Sequence, residues 1–150
     1  MRIFENLAEY EKEVGNEIGV SDWMKIDQDR INMFAEATGD HQWIHLDGER
    51  TQRELNMPTI AHGFLTLALL PKLSGEISGV KSVSRGINYG LNKLRFTGMV
   101  AVDSKVRLRS KLISAAPKAG GVLFTSENVI EVEGQDSPAL ISEGLSLLFE

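Results

Sequence analysis

The chain contains no cysteine and only three histidines among its 150 residues. Without cysteine it can form no disulfide, and it offers no thiolate as a nucleophile or as a metal ligand. Three histidines with no cysteine beside them are too few to indicate a metal cluster. We therefore expect no metal site, and any acid or base has to come from histidine or carboxylate side chains.

Basic side chains are also scarce. The 16 Lys and Arg residues are outnumbered by 21 Asp and Glu, so the formal net charge at pH 7 is -5. A nucleic-acid surface normally needs clustered positive charge to offset the phosphates. Nucleic acid is therefore not expected as a partner, and the acidity mainly favours solubility.

Long hydrophobic runs are missing as well. No stretch approaches the roughly 18 apolar residues of a membrane-spanning helix. The N-terminal sequence MRIFENLAEYEKEVG carries too many charges for a secretory signal. We expect a protein that does not associate with membranes and that resides in the cytoplasm.

The hydrophobic residues that are present, 42% of the chain, are sufficient for one globular domain over 1–150. Apolar residues at helical spacing predict a helix over 3–14. A second helix is predicted to begin after Asp27, which can cap it, and to end at Gly39, where a left-handed residue commonly closes a helix. Asp40 would then lie immediately beyond a well-defined helix end.

The segment from Gly63 to Leu73 is apolar almost all round, which predicts a helix buried on most sides. Pro71 lacks a backbone donor and is expected to bend or end this helix. Strand-length segments separated by turn signals follow, at 84–96, 104–115, 121–133 and 138–149. This order predicts an α+β hot-dog fold, in which a curved antiparallel β-sheet wraps around a long central apolar helix. Because such a sheet leaves an exposed edge, we expect a homodimer.

The sequence GDHQWIH, residues 39–45, places an acid and an imidazole five residues apart in a loop. Asp40 and His45 could converge on one water molecule, which the carboxylate orients while the imidazole accepts or donates a proton near neutral pH. Alternatively, Asp40 bonds loop amides after the helix, and His45 is a half-buried histidine whose hydrogen bonds are satisfied. Spacing alone leaves both interpretations open.

The sequence PTIAHGF, residues 58–64, leads into the apolar helix. Gly63 would lie in the first turn, where backbone N–H groups lack an intrahelical partner and the helix dipole favours negative charge. That environment suits an oxyanion hole. The alternative is that Gly63 permits close packing and that His62 fills space.

Taken together, FAEATGDHQWIH (34–45) and AHGF (61–64) resemble the MaoC-like dehydratases, the (R)-specific enoyl-CoA hydratase group with a hot-dog fold. Within that group, GDHQWIH, TIAHGF and NYGLNKLRF are most similar to the nodulation-protein-N-like subfamily. The resemblance covers essentially the whole chain. It departs from the family pattern where Gln42 and Trp43 replace the common Asn and Pro, and where Pro71 replaces a serine that some members have.

The resemblance implies reversible addition of water to a trans-2-enoyl thioester, giving the (R)-3-hydroxyacyl thioester. Asp40 and His45 would activate the water, and the amide of Gly63 would bind the thioester oxygen. The expected substrate-binding residues are Gln42, Trp43, His62, Asn88 and Asn92. The family chemistry needs no metal or other cofactor.

The expected partner is an acyl-CoA or an acyl carrier protein thioester. Two other functions remain open at this stage. The first is a non-catalytic acyl-thioester binding module. The second is a hot-dog thioesterase, although the usual acid of that class lies on the central helix and FLTLALLPKL, residues 64–73, contains neither Asp nor Glu.

Overall fold

The structure is a computed structural model that describes residues 1–150. It contains eight strands and six helices. The strands are β1 (Arg2–Phe4), β2 (Glu17–Val20), β3 (Met24–Lys25), β4 (Ser78–Val80), β5 (Arg85–Phe96), β6 (Lys105–Lys118), β7 (Gly121–Val132) and β8 (Leu140–Phe149). The helices are α1 (Leu7–Glu11), α2 (Gln28–Thr38), α3 (Trp43–Leu46), α4 (Gly48–Leu55), α5 (Gly63–Ala68) and α6 (Leu70–Ile77).

The main sheet is antiparallel, as predicted, with strand order β2-β6-β7-β8-β5, and β3 also pairs with β6. The four long strands correspond to the predicted segments. One cluster of buried side chains joins the concave face of the sheet to the helices, including Leu65 and Leu73 from the helices and Leu108, Ile130 and Leu140 from the strands. The sheet therefore wraps the central helical segment.

The central segment differs from the single predicted helix in two respects. It is interrupted at Leu69, which ends α5 and precedes α6, and the second helix continues past Pro71 as far as Ile77. Pro71 is tolerated because it lies in the first turn of α6, where an N–H group would have no intrahelical partner. The helix is also less enclosed than predicted, because Phe64 is 66% exposed.

The prediction of a helix over 3–14 is wrong in extent. Helix α1 covers only Leu7–Glu11, and the residues before it form β1, which pairs in parallel with β4. Asn6 begins the helix by accepting a hydrogen bond from the Glu9 amide. A parallel partner far along the chain overrides the local helical spacing, because strand pairing satisfies the same backbone groups.

Helix α2 begins and ends at the predicted residues. The Asp27 side chain accepts a hydrogen bond from the Arg30 amide, and Gly39 adopts a left-handed conformation with φ of 75°. The chain thus turns sharply just before Asp40. None of the helices combines the length and the hydrophobicity needed to cross a membrane.

Candidate active site

Asp40 lies in the turn between α2 and α3 and is exposed. Its backbone N–H donates to the Thr38 hydroxyl over 3.4 Å, and its carboxylate accepts from the Gln42 amide over 3.4 Å. The bond to the carboxylate is long, and a carboxylate has further acceptor sites, so it can accept from another donor. The alternative in which Asp40 bonds loop amides therefore accounts for only part of its hydrogen-bonding capacity.

His45 lies in the short helix α3 and is 6% exposed. Its Nδ1 lies 2.7 Å from the backbone carbonyl of Ile60. A carbonyl oxygen only accepts, so Nδ1 carries the hydrogen and Nε2 is left with a lone pair. Burial lowers the pKa of His45 below 6.5, His62 lowers it further, and the Ile60 bond and Asp40 partly oppose the shift. The His45 ring is therefore mainly neutral at pH 7.

A polar brace that the sequence did not indicate holds the α3 backbone in place. The Gln28 side-chain amide donates to the His45 carbonyl over 2.8 Å, and its oxygen accepts from the Thr59 hydroxyl over 2.5 Å. The Ile60 amide also donates to the Ile44 carbonyl over 3.1 Å. Nothing in the sequence marks Gln28, because a glutamine in the first turn of a helix is usually solvated.

His62 is 2% exposed and lies between two aromatic rings. Its ring centroid is 5.0 Å from that of Phe34 and 3.8 Å from that of His45, on which it stacks at 26°. His62 Nε2 donates to the backbone carbonyl of Asp40 over 3.0 Å, while the buried Nδ1 has no partner. His62 thus contacts both residues of the predicted acid and base pair.

Asp40, His45 and His62 each present a polar atom, and these atoms lie within 4.8 Å of one another. The Asp40 and His45 side chains make no direct hydrogen bond, so a water molecule that bonds both would fit between them. The same group could in principle bind a metal ion. However, imidazole lone pairs lie in the ring plane, and two rings stacked at 3.8 Å cannot both direct them at one ion about 2.1 Å away. The arrangement suits a water molecule better.

Gly63 is the first residue of α5 and directly follows His62. Its backbone N–H donates no hydrogen bond within the protein, as expected in a first turn. A Cβ at this position would lie 3.1 Å from the Phe96 ring. Close packing on Phe96 and a free amide therefore occur together at Gly63.

The other predicted binding residues lie in different parts of the structure. Gln42 immediately precedes α3 and is exposed. The guanidinium carbon of Arg50 lies 4.2 Å from the centroid of the Trp43 ring. Asn88 lines a cavity on the concave side of the sheet. Asn92 lies on the exposed strand β5 outside that cavity. Their roles in binding substrate stay predictions.

Known proteins resemble this chain along nearly its full length. Residues 9–133 match the MaoC like domain family. The chain is 47% identical over 146 residues to 3-hydroxyacyl-thioester dehydratase Z of Mycobacterium tuberculosis, with 97% of each chain covered. It is 40% identical over 147 residues to nodulation protein N of Rhizobium meliloti, with 95% of this chain and 90% of the relative covered.

A solved structure supports the fold. R-hydratase PhaJ1 from Pseudomonas aeruginosa in the unliganded form matches with a TM-score of 0.75 at 23% identity, covering 97% of this chain and 86% of that one. At this identity the likeness concerns the fold alone, and it confirms the predicted hot-dog architecture. The family match and the close relatives confirm the resemblance seen in the motifs: the chain belongs to the MaoC-like dehydratase family.

Proposed function

We propose that this protein is an (R)-specific enoyl-CoA hydratase, which reversibly adds water to a trans-2-enoyl-CoA to give the (R)-3-hydroxyacyl-CoA. One observation carries the proposal: the polar atoms of Asp40 and His45 lie within 4.8 Å of each other, beside the start of α5. The relative named 3-hydroxyacyl-thioester dehydratase Z supports the same reaction type.

The first step uses His45 as the base. Its Nε2 lone pair accepts a proton from a water molecule that Asp40 orients, and the water oxygen bonds to the β-carbon of the enoyl group. The electron pair of the double bond moves onto the thioester oxygen as enolate. In the second step, the proton returns to the α-carbon and the thioester carbonyl re-forms. Dehydration follows the same steps in reverse.

Gly63 stabilises the charge that develops on the thioester oxygen. Its N–H has no acceptor within the protein, and it lies at the positive end of a helix. A donor that is already oriented toward the developing oxyanion lowers the barrier without reorganisation. The chain supplies the acid, the base and the oxyanion donor, and this chemistry calls for no cofactor.

The active molecule in this proposal is a homodimer. Strand β5 is twelve residues long and forms one edge of the main sheet. Large apolar side chains on this strand are exposed: Ile87, Tyr89, Leu91 and Phe96. A long apolar edge strand is an association site, and a second copy would pair it with itself. Because Phe96 also contacts Gly63, that copy would shield the open side of the site.

The test is hydration of crotonyl-CoA, followed by loss of the enoyl-thioester absorbance. Asp40→Asn and His45→Gln are each expected to reduce kcat/KM by about 100-fold or more. Asp22→Asn is the matched control, because Asp22 is exposed and its carboxylate makes no hydrogen bond within the protein. A wild-type rate equal to that of Asp40→Asn, with short and long enoyl chains, would overturn the proposal.

Two other outcomes of this assay have distinct meanings. Release of free CoA without hydration would indicate a thioesterase. Binding of acyl-CoA without turnover, unchanged by the two site variants, would indicate a binding module. The cytoplasmic location belongs to the same proposal and is checked by cell fractionation.

A further inference from the structure

A cavity of about 690 Å³ lies between the central helices and the concave face of the sheet. Its volume is typical of a site for a small molecule. Leu67 and Leu70 line it from the helical side, and Leu148 lines it from the sheet. Asp40 and His45 do not line the cavity, so its wall consists of residues other than the predicted acid and base.

The sheet side of this cavity carries polar side chains beside its apolar ones. Four neighbouring strands contribute hydroxyl and amide side chains to its wall: Ser110 from β6, Ser126 and Asn128 from β7, Ser146 from β8 and Asn88 from β5. Ser74 of α6 adds a hydroxyl from the opposite side. The polar groups therefore form a continuous band across the sheet.

Much of the hydrogen-bonding capacity of this band is unused. Ser110 donates to the Asn128 side-chain oxygen over 3.0 Å, and the Asn128 amide makes only a long 3.4 Å bond to the Ser126 carbonyl. The remaining side chains of the band make no side-chain hydrogen bond within the protein: Ser74, Asn88, Ser126 and Ser146. Asn88 is exposed, and Ser74, Ser126 and Ser146 are half-buried, so water can satisfy these groups in the free protein. A bound chain that displaces this water without replacing its hydrogen bonds would lose binding free energy.

One residue of the cavity wall lies near the start of α5. Leu67 lines it and lies four residues after Gly63, about 6 Å along a helix axis. A thioester oxygen bound by the Gly63 amide would thus lie about one helical turn from Leu67 in the cavity wall. Gly144 widens the cavity, because a Cβ there would lie 3.0 Å from the Asn128 amide nitrogen.

We propose that the cavity receives the acyl chain of the substrate and selects chains that carry hydroxyl or carbonyl oxygen remote from the thioester. This inference rests on the proposed hydratase function and names the substrate class of that site. An unsubstituted alkyl chain would displace water from the polar band and leave its groups unpaired. An oxygenated chain would replace those hydrogen bonds, and a site built for such bonds discriminates strongly against the analogue that lacks them.

The test compares trans-2-octenoyl-CoA with its derivatives hydroxylated at carbon 6, 7 or 8. We expect kcat/KM for the best hydroxylated chain to exceed that for the plain chain by at least about tenfold. In the triple variant Ser126→Ala, Asn128→Leu, Ser146→Ala the ratio falls to about one or below, because the variant removes the central side chains of the polar band. Ser114→Ala on β6 is the matched control, since Ser114 lies outside the cavity, and it keeps the wild-type ratio.

Crotonyl-CoA distinguishes the hydratase proposal from the cavity proposal, because its short chain reports only the chemistry at Asp40 and His45. Turnover of crotonyl-CoA with a wild-type preference for the plain chain, or with a ratio that the triple variant leaves unchanged, would overturn the cavity proposal alone. If no enoyl-CoA is hydrated, calorimetric binding of octanoyl-CoA and its hydroxylated derivatives provides the test. Equal Kd values would then overturn the selectivity, and tighter binding of a hydroxylated chain that the triple variant abolishes would support it.

Discussion

The ring of His62 stacks on that of His45 with 3.8 Å between the centroids. The same residue donates from Nε2 to the backbone carbonyl of Asp40. One buried side chain therefore holds the carboxylate-bearing turn against the imidazole. The predicted acid and base approach each other through this contact, since they make no direct hydrogen bond.

Replacing His62 with Phe should distinguish the role of His62 in positioning Asp40 from its role in packing. The Phe ring can fill the space beside Phe34, but it removes the donor to Asp40, so we expect kcat to fall by about tenfold or more while stability changes by about 1 kcal/mol. Because His62 also lowers the pKa of His45, the acid limb of the pH profile should move to higher pH. His41→Phe is the control, since His41 is exposed and bonds only Glu36. This change should leave both kcat and the acid limb of the pH profile as in the wild type.

The pH dependence of the wild type follows from the lowered pKa of His45, whose main cause is burial. His45 acts as a base only when neutral, and a lowered pKa keeps it neutral to a lower pH. The acid limb of kcat/KM for crotonyl-CoA should therefore have its midpoint below about 6.5, the ordinary histidine value. A midpoint above that value would contradict the assignment of His45 as a buried base.

Gly63→Pro should test the oxyanion role of one backbone amide. Proline is favoured at the first position of a helix, and His62, with φ of -58° and ψ of 138°, already has the conformation preferred before proline. Folding should survive, while loss of the N–H should reduce kcat by about 100-fold or more. Gly63→Ala retains the amide and meets the same Phe96 ring, so it should lose far less. Equal losses in the two variants would assign the effect to Phe96.

Gly39→Ala should destabilise the protein, because Gly39 has φ of 75°. The left-handed conformation costs a residue with Cβ about 1–2 kcal/mol, which denaturant unfolding would measure. Gly75→Ala is the opposite control: Gly75 lies within α6, and a Cβ there meets nothing within 4 Å. That change should stabilise the helix by up to about 1 kcal/mol. A loss of stability in both would show that Gly39 is not specially strained.

Several features follow from local patterns and could be predicted. Asp27 and Gly39 delimit α2 because capping depends on a few neighbouring residues. The four long strands and the apolar helix give the α+β order, and the motifs around Asp40 and Gly63 indicate the MaoC-like family, which the relatives confirm.

Other features depend on contacts between distant parts of the chain. Local spacing could not show that Arg2–Phe4 pairs with Ser78–Val80, because the partner strand lies more than seventy residues away. The sequence also could not predict the brace from Gln28 to the His45 carbonyl or the polar band that faces the central helices. A glutamine or serine has no characteristic spacing that shows what it will bond.

The sequence by itself determined the secondary-structure order, the family and the residue types that could act as acid, base and oxyanion donor. Tertiary structure decided their protonation and placement. The His45 ring is neutral near pH 7 because folding buries it, and Nδ1 is directed at the Ile60 carbonyl. The cavity carries a polar band because strands β5 to β8 bring hydroxyl and amide groups together. Burial and alignment of hydrogen-bonding groups arise only when separate segments meet, and no local pattern encodes them.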